Sequence, residues 1–512
     1  MAKSQLKAGA ILSYLNMAIG TLIPMFYTPV MLDMLGQSEY GLFKLASTVT
    51  SYLSLLSFGI GSAVVRYLIM YRKQEGKEGE AKMFGLFNVI FGVISVLVIV
   101  GGIILSLNVG LIYGESLNAA ELSQLKIMVF LLAVSTAISI TSTVYTSCVL
   151  SHERFMFLQV INILTSVIVP VANLIALFMG FKSVGMVISS LIITIIVRVV
   201  YTIYVKSSIK IKPIYKGMPT HILKEILVFS FWVFLGNIVN QLYAATDTMI
   251  IGAIPALATV GVAVYNIGAT FNSMMLSFAT GVSSVITPRI NDMVFSNSNN
   301  KELTDILIKF GRLQSYIVTI VCGGFIAFGY QFITLWAGAD YGAAYPIAIV
   351  TMIPSCIPLM QSVALNIAVA QNKHKFRSIV YLCIAVVNVI GTILVVNKYG
   401  IIGAAVVSGI AYVIGQGFVM NWYYWKKINL DIPRFWFSVL RIMGIGAALC
   451  AVAVVVTRFI DINNWVLMFV CIIAYTVIFF MLEWCLAMND YEKELFRAPV
   501  NKILRKLKIK KS

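Results

Sequence analysis

Long apolar runs alternate with short charged stretches along the whole chain. Fourteen such runs are visible, roughly at 8–32, 41–70, 83–107, 126–149, 156–179, 184–205, 226–251, 257–286, 313–335, 343–369, 378–396, 401–425, 436–457 and 465–488. Each is long enough to cross a bilayer as a helix, for which about 20 residues suffice. The connectors are short. None reaches the ~50 residues a small folded domain needs, so a soluble catalytic domain, a receptor ectodomain and a DNA-binding domain are all excluded. The pattern predicts an all-α polytopic membrane protein of about fourteen transmembrane helices.

Composition agrees with this reading. Of the 512 residues 60% are hydrophobic and 11% charged, with a mean hydropathy of +0.92. Soluble domains run to about a quarter charged. The net charge of +18 would suggest nucleic acid in a soluble chain, but its placement argues otherwise. With the N-terminus inside, the cytoplasmic segments and span ends hold 31 of the 38 Lys and Arg, and the outer loops hold four (Lys126, Lys182, Lys398, Arg458). That asymmetry predicts both termini in the cytoplasm and no nucleic-acid partner. The tail from Lys493 to Lys511 carries eight basic residues suited to anionic lipid headgroups, which makes membrane lipids expected partners. All seven cysteines lie in apolar runs and the three histidines in cytoplasmic connectors, so no disulfide, metal site or cofactor is expected. The first run lacks a small-residue cleavage motif and reads as a span, not a signal peptide.

Two halves share a register. At an offset of 220, Gly41 falls on Gly261, Thr50 on Thr270, Leu56-Ser57-Phe58 on Leu276-Ser277-Phe278 and Gly61 on Gly281. At 218, Gly185 falls on Gly403 and Ser190 on Ser408. Six spans per repeat return the chain to the same side, so the repeats are parallel, related by a pseudo-twofold axis along the membrane normal. The expected organisation is a six-helix bundle at 1–206, a linker at 207–225, a second six-helix bundle at 226–427, two extra helices at 428–490 and a basic tail at 491–512.

Polar side chains recur at helical spacing inside several spans. Span 2 carries Tyr40, Lys44, Ser47, Ser51 and Ser54; span 8 carries Asn266, Thr270, Ser273, Ser277, Thr280 and Ser284. Span 7 has Asn237, Asn240, Gln241 and Asp247, and span 1 has Ser13, Asn16, Gly20 and Pro24. Ordered polar stripes have no use against lipid but suit a wet cavity. Hydroxyls and amides of this kind hydrogen-bond hydroxylated ligands such as sugars. Close helix packing through small residues is the alternative explanation. Lys44, Arg198 and Arg441 are cations within spans, each costing about 2.5–3.5 kcal/mol if unpaired at mid-bilayer. Lys44 and Arg198 are candidates for an anionic substrate, Arg66 and Arg289 for headgroup entry at matching span ends, and Arg441 for an interfacial anchor. Asp247 and Glu483 are the only carboxylates within spans. A Lys44–Asp247 pair is a candidate outer gate or coupling element, while Glu483 beside Trp484 sits near an interface.

These features resemble the multidrug/oligosaccharidyl-lipid/polysaccharide (MOP) exporter superfamily, and within it the Wzx-type polysaccharide and O-antigen flippases. The resemblance is carried by Leu35-Gly36 through Tyr40-Gly41, then Ser57-Phe58-Gly59-Ile60-Gly61 with Arg66-Tyr67. It continues in Asp247-Thr248-Met249-Ile250-Ile251-Gly252, with Val260-Gly261 and Tyr265 beyond. It implies an undecaprenyl-pyrophosphate-linked oligosaccharide as substrate, moved across the bacterial cytoplasmic membrane by alternating access. It further implies proton or sodium coupling, and polysaccharide assembly proteins as partners. Multidrug exporters of the superfamily usually carry a carboxylate in the first span, and Lys7 to Leu32 has none. Lipid II flippases share the fourteen-span layout but are richer in arginine within the first two spans. A membrane polymerase or ligase normally needs a large outer loop with acid–base groups, whereas the largest outer loop, Asn108 to Leu125, offers only Glu115 and Glu121. The chain is therefore expected not to be an enzyme.

Overall fold

The computed structural model describes residues 2–495 and 497, except 297, 372 and 374. Among them there is no strand. The helices are α1 (Ala2–Ser51), α2 (Gly61–Tyr113), α3 (Ala119–Ser151), α4 (Phe155–Phe178), α5 (Lys182–Tyr204), α6 (Leu223–Gly252) and α7 (Ala258–Phe295). They continue with α8 (Asn300–Ala337), α9 (Ala344–Met360), α10 (Ser362–Ala370), α11 (Lys375–Tyr412), α12 (Met420–Lys426), α13 (Ile432–Val456) and α14 (Trp465–Leu486).

Nine helical stretches of the described residues are long and apolar enough to span, or eleven with two bent pairs. Three of the stretches are compound. Backbone breaks at Gly36, Gly76 and Gly400 divide α1, α2 and α11 where the hydrophobic pattern places connectors. With those divisions, and with α7, each of the fourteen predicted spans has its helix. Span 10 is the pair α9–α10, bent by 49° after Pro354 and Pro358 remove two backbone donors. The repeat register is visible in backbone geometry as well. Lys182 and Gly400, 218 residues apart, both adopt positive φ (49° and 63°) and open spans 6 and 12. Three residues further on, Gly185 and Gly403 each pack beneath the ring-bearing residue one turn back, Phe181 and Tyr399.

By compactness the chain divides into a unit of residues 1–266 with 385–404 and a unit of residues 267–384 with 405–512. In the first, a core of Phe84, Phe87, Phe91, Tyr145 and Val149 joins α2 to α3. Its connectors gather into two sets. One holds Ser38, Glu39, Glu121, Lys182, Ser183 and Thr259, linked by hydrogen bonds and an ion pair. The other holds Arg72, Glu80, Ser151 and His152. The linker joins this second set, with Ile214 N–H donating to the Ala81 carbonyl. The two sets thus hold alternate connectors along the chain. The second unit packs α13 and α14 against α8 through Tyr316, Phe328, Ile442 and Phe479. The basic tail beyond Arg497 lies outside the described residues.

Candidate functional site

Span 2 is broken in its middle. After α1 ends at Ser51 the chain tightens into a 3-10 turn over Tyr52–Ser57, then Phe58 and Gly59 take positive φ (49° and 65°) and α2 starts at Gly61. Glycine is required at 59 on two counts. An L side chain is strained at that φ, and a Cβ would lie 2.6 Å from the Val233 side chain on α6. The repeat-related Leu276-Ser277-Phe278 stays inside α7, because Ala279 follows where Gly59 follows Phe58. The same motif therefore gives a break in one half and a continuous helix in the other. Unwound backbone at membrane depth persists only where protein or water satisfies its polar groups.

Polar side chains gather beside this break. The Gln241 amide donates to the Ser51 hydroxyl, which donates in turn to the Thr48 carbonyl at 2.6 Å. The Tyr52 and Thr246 hydroxyls are 2.9 Å apart. One residue on, Asp247 is 3% exposed; Tyr265 donates to its Oδ2 at 2.5 Å and Thr392 to its Oδ1 at 3.1 Å. Asn266 donates to Thr248 at 3.3 Å, and Asn388 lies buried one turn from Thr392. Among the described residues no three His, Cys, Asp or Glu side chains converge on a metal-sized site.

The structure thus brings together Ser51 with Gln241, and Asp247 with Asn266 through its neighbour Thr248. It does not join Lys44 to Asp247. The Lys44 ammonium lies 5.4 Å from the Tyr40 ring centroid and takes part in no ion pair among the described residues, while hydroxyl donors occupy both oxygens of Asp247. Arg198 stacks on Tyr145 of α3 at 3.7 Å, and its buried Nη1 has no hydrogen-bond partner among the described residues. Asn16 borders a cavity of about 530 Å³ between α1 and α4, shared with Asn162, Thr165 and Ser166; its Oδ1 is likewise buried and unpartnered among the described residues. Asn237 is exposed, and the side chain of Asn240 lies outside the described residues. Arg66 is exposed with its guanidinium 5.8 Å from the Tyr67 ring. In the second unit Ser273, Ser277 and Arg289 are exposed, the two serines donating to carbonyls one turn back.

The Ser38 end of the first unit is sealed. A Cβ on Gly41 would fall 1.8 Å from the Thr259 carbonyl oxygen, so α1 and α7 touch backbone to backbone there. Ser38 donates to Glu121 at 2.6 Å and lies 3.1 Å from the Thr259 hydroxyl. Glu121 also closes the capping box that starts α3 with Asn118. Ser116 donates to the Gly252 carbonyl at 2.9 Å. The sequence marks Gly41 as a repeat match and as part of the Tyr40-Gly41 motif, but not as a contact, because tertiary approach has no sequence period. Nor does it mark Tyr265 and Thr392 as partners of Asp247, although Asp247-Thr248 and Tyr265 stand in the quoted motif.

A family model described as polysaccharide biosynthesis protein matches residues 30–346. A Shigella flexneri protein described as an O-antigen transporter is 20% identical over 426 residues, covering 81% of this chain and 96% of that protein. Among solved structures, the lipid II flippase MurJ in an inward closed conformation superposes with a TM-score of 0.73 at 18% identity, over 93% of this chain and 98% of that one. An inward-facing multidrug resistance MATE family transporter of the MOP superfamily gives 0.59 at 14% identity, over 85% and 99%. The fold is that of these transporters.

Proposed function

The chain belongs to the polysaccharide biosynthesis protein family, and on that premise we propose that it flips an undecaprenyl-pyrophosphate-linked oligosaccharide across the bacterial cytoplasmic membrane. Translocation is by alternating access and serves surface polysaccharide synthesis. The observation that carries the reading is the glycine-tight seal of Gly41 on Thr259, about three turns before the break in the same span, where hydroxyls and amides are gathered in pairs. A seal over polar groups is what a gated hydrophilic path requires.

In this reading the Ser38 end faces outward, as the distribution of Lys and Arg supports, and both chain ends face the cytoplasm. The two six-helix bundles and the appended helix pair are the moving parts and their extension. Lys44 and Arg198 lower the cost of drawing a pyrophosphate inward, with Arg66 and Arg289 meeting it at the entrance. Asn16, Ser51, Asn237, Asn240, Gln241, Asn266, Ser273 and Ser277 offer hydrogen bonds to sugar hydroxyls. Asp247 is the coupling group for a proton or sodium ion: its buried oxygens accept from two hydroxyls, so charge and proton occupancy there respond to any movement of Tyr265 or Thr392.

Complementation tests the proposal. Strains lacking a polysaccharide flippase, depleted of the lipid II flippase, or lacking multidrug exporters each receive the gene. Restored surface polysaccharide supports the reading; rescue confined to the lipid II strain or to drug resistance overturns it.

A further inference from the structure

The second unit contains two buried carboxylates, and one guanidinium that binds the first and reaches the backbone one turn from the second. Arg312 of α8 holds Glu492 through two contacts, Nε to Oε1 at 2.7 Å and Nη2 to Oε2 at 2.8 Å. Its remaining donors reach the Ser438 carbonyl of α13 at 2.7 Å and the Ala487 carbonyl after α14 at 2.8 Å. Tyr316 adds a hydroxyl to Glu492 at 3.0 Å, and the Asn489 N–H adds another donor at 2.9 Å. One side chain of α8 thus latches α13, the end of α14 and the short helix that follows.

Glu483 of α14 stands one turn before Ala487. It is 0% exposed, and neither carboxylate oxygen has a hydrogen-bond partner among the described residues. A buried carboxylate without donors is strongly disfavoured as an anion, whereas the same group as a neutral acid is tolerated. The Arg312 donors that could have stabilised its charge go to Glu492 and to the Ser438 and Ala487 carbonyls. Burial works against the Glu492 anion too, but the Arg312 bonds and the Asn489 N–H outweigh it and hold its carboxyl below the usual range.

We propose that Glu483 is a proton-binding site in competition with Glu492 for Arg312, so that releasing its proton transfers the guanidinium and opens the latch between α8 and the α13–α14 pair. The bookkeeping is simple: one proton leaves the Glu483 carboxyl for water, and the anion left behind takes the guanidinium from Glu492. The titratable groups whose charge acts on it are Arg312 and Tyr316 from α8 and Glu492 from the following helix; on α14 itself Tyr475 stands two turns away, its hydroxyl unpartnered among the described residues. Lys309 is turned to the Tyr491 ring at 3.7 Å, Arg497 to Trp484 at 5.2 Å, and Arg441 of α13 is exposed. The proposal is independent of what the protein carries.

The test is labelling of the full-length protein in membranes with a hydrophobic carbodiimide, which modifies carboxyl groups in their protonated, apolar-shielded form. Adducts are located by peptide mass spectrometry at acid and alkaline pH. The expected result is an adduct at Glu483 that declines as pH rises, none at Glu492, and its loss in Glu483→Gln. In Glu492→Gln the guanidinium is free to face Glu483, and an adjacent opposite charge favours the anion, so labelling falls about tenfold or more. No adduct at Glu483 at any pH overturns the proposal, as does unchanged labelling in Glu492→Gln.

Discussion

Replacing Gly41 by alanine tests the seal with a single methyl group. The added Cβ would sit 1.8 Å from the Thr259 carbonyl oxygen, 2.6 Å from its carbon and 3.1 Å from Cα. Ordinary carbon–oxygen contacts in packed backbones lie near 3.3–3.6 Å, so α1 and α7 must part locally by roughly 1.5 Å. Overpacking of this kind costs about 1–3 kcal/mol. If the contact exists only when the Ser38 end is shut, that cost falls on one state alone and shifts the equilibrium toward opening about 5–150-fold. The parting also lengthens the Ser38–Thr259 contact of 3.1 Å. The assay uses a background without the seven native cysteines, with Ser51→Cys as reporter and a membrane-impermeant thiol reagent applied from outside. Gly41→Ala should raise the labelling rate, while Gly20→Ala, whose Cβ would meet nothing within 4 Å, should leave it at the parental value. Parental labelling in Gly41→Ala at normal protein levels, or an equal rise in Gly20→Ala, would mean that the Gly41–Thr259 contact does not close the path.

Four further outcomes follow from the same geometry. Gly59→Ala places an L residue at φ 65° against Val233; it should cost about 1–2 kcal/mol in backbone strain alone and reduce export, as read by thermal unfolding and surface polysaccharide. Asp247→Asn keeps the volume but not the charge, and should abolish any dependence of transport on a proton or sodium gradient while Thr392→Ala weakens it. Lys44→Ala and Arg198→Ala should impair surface polysaccharide with protein levels intact; normal export in both would move headgroup recognition to other residues. At the opposite end of the first unit, burial pushes His152 below the ordinary imidazole range; the Cys148 carbonyl opposes this and Arg72 and Arg154 reinforce it. Its Nε2 lies 3.5 Å from Glu80, but that carboxylate is already shared with Arg72. The folded protein therefore keeps His152 neutral while the unfolded chain protonates it below about pH 6.5, so stability is full above that value and falls on acidification. Thermal unfolding between neutral and acid pH should show a shallower decline in His152→Gln.

How much of this was legible beforehand depends on the range of the interaction. The fourteen spans could be read because bilayer thickness imposes a length on every apolar run, and the breaks at Gly36, Gly76 and Gly400 fall where the hydrophobic pattern relents. The repeat was readable for the same local reason, down to the positive φ shared by Lys182 and Gly400. Side-chain partnerships were less so. Helical spacing put Ser51 and Gln241 on polar faces, and they do meet. It could not show that Asp247 would be met by Tyr265 and Thr392 while Lys44 turned to Tyr40, since spacing fixes a face and not the rotation of one helix against another. Glu483 looked peripheral beside Trp484, yet the α8 latch encloses it completely. The break at Phe58-Gly59 was visible as a motif but not as an unwound span; comparison with Phe278-Ala279 was the signal that could have revealed it.

The most direct measurement is flipping itself. Purified protein is reconstituted into vesicles with an undecaprenyl-pyrophosphate-linked oligosaccharide labelled on its sugar, and the fraction that becomes accessible to a membrane-impermeant reagent on the opposite face is followed over time. Transfer is expected to be accelerated by the protein, slowed in Arg198→Ala and changed in Gly41→Ala. Transfer no faster than in protein-free vesicles, under a proton or a sodium gradient alike, would contradict the proposed flipping.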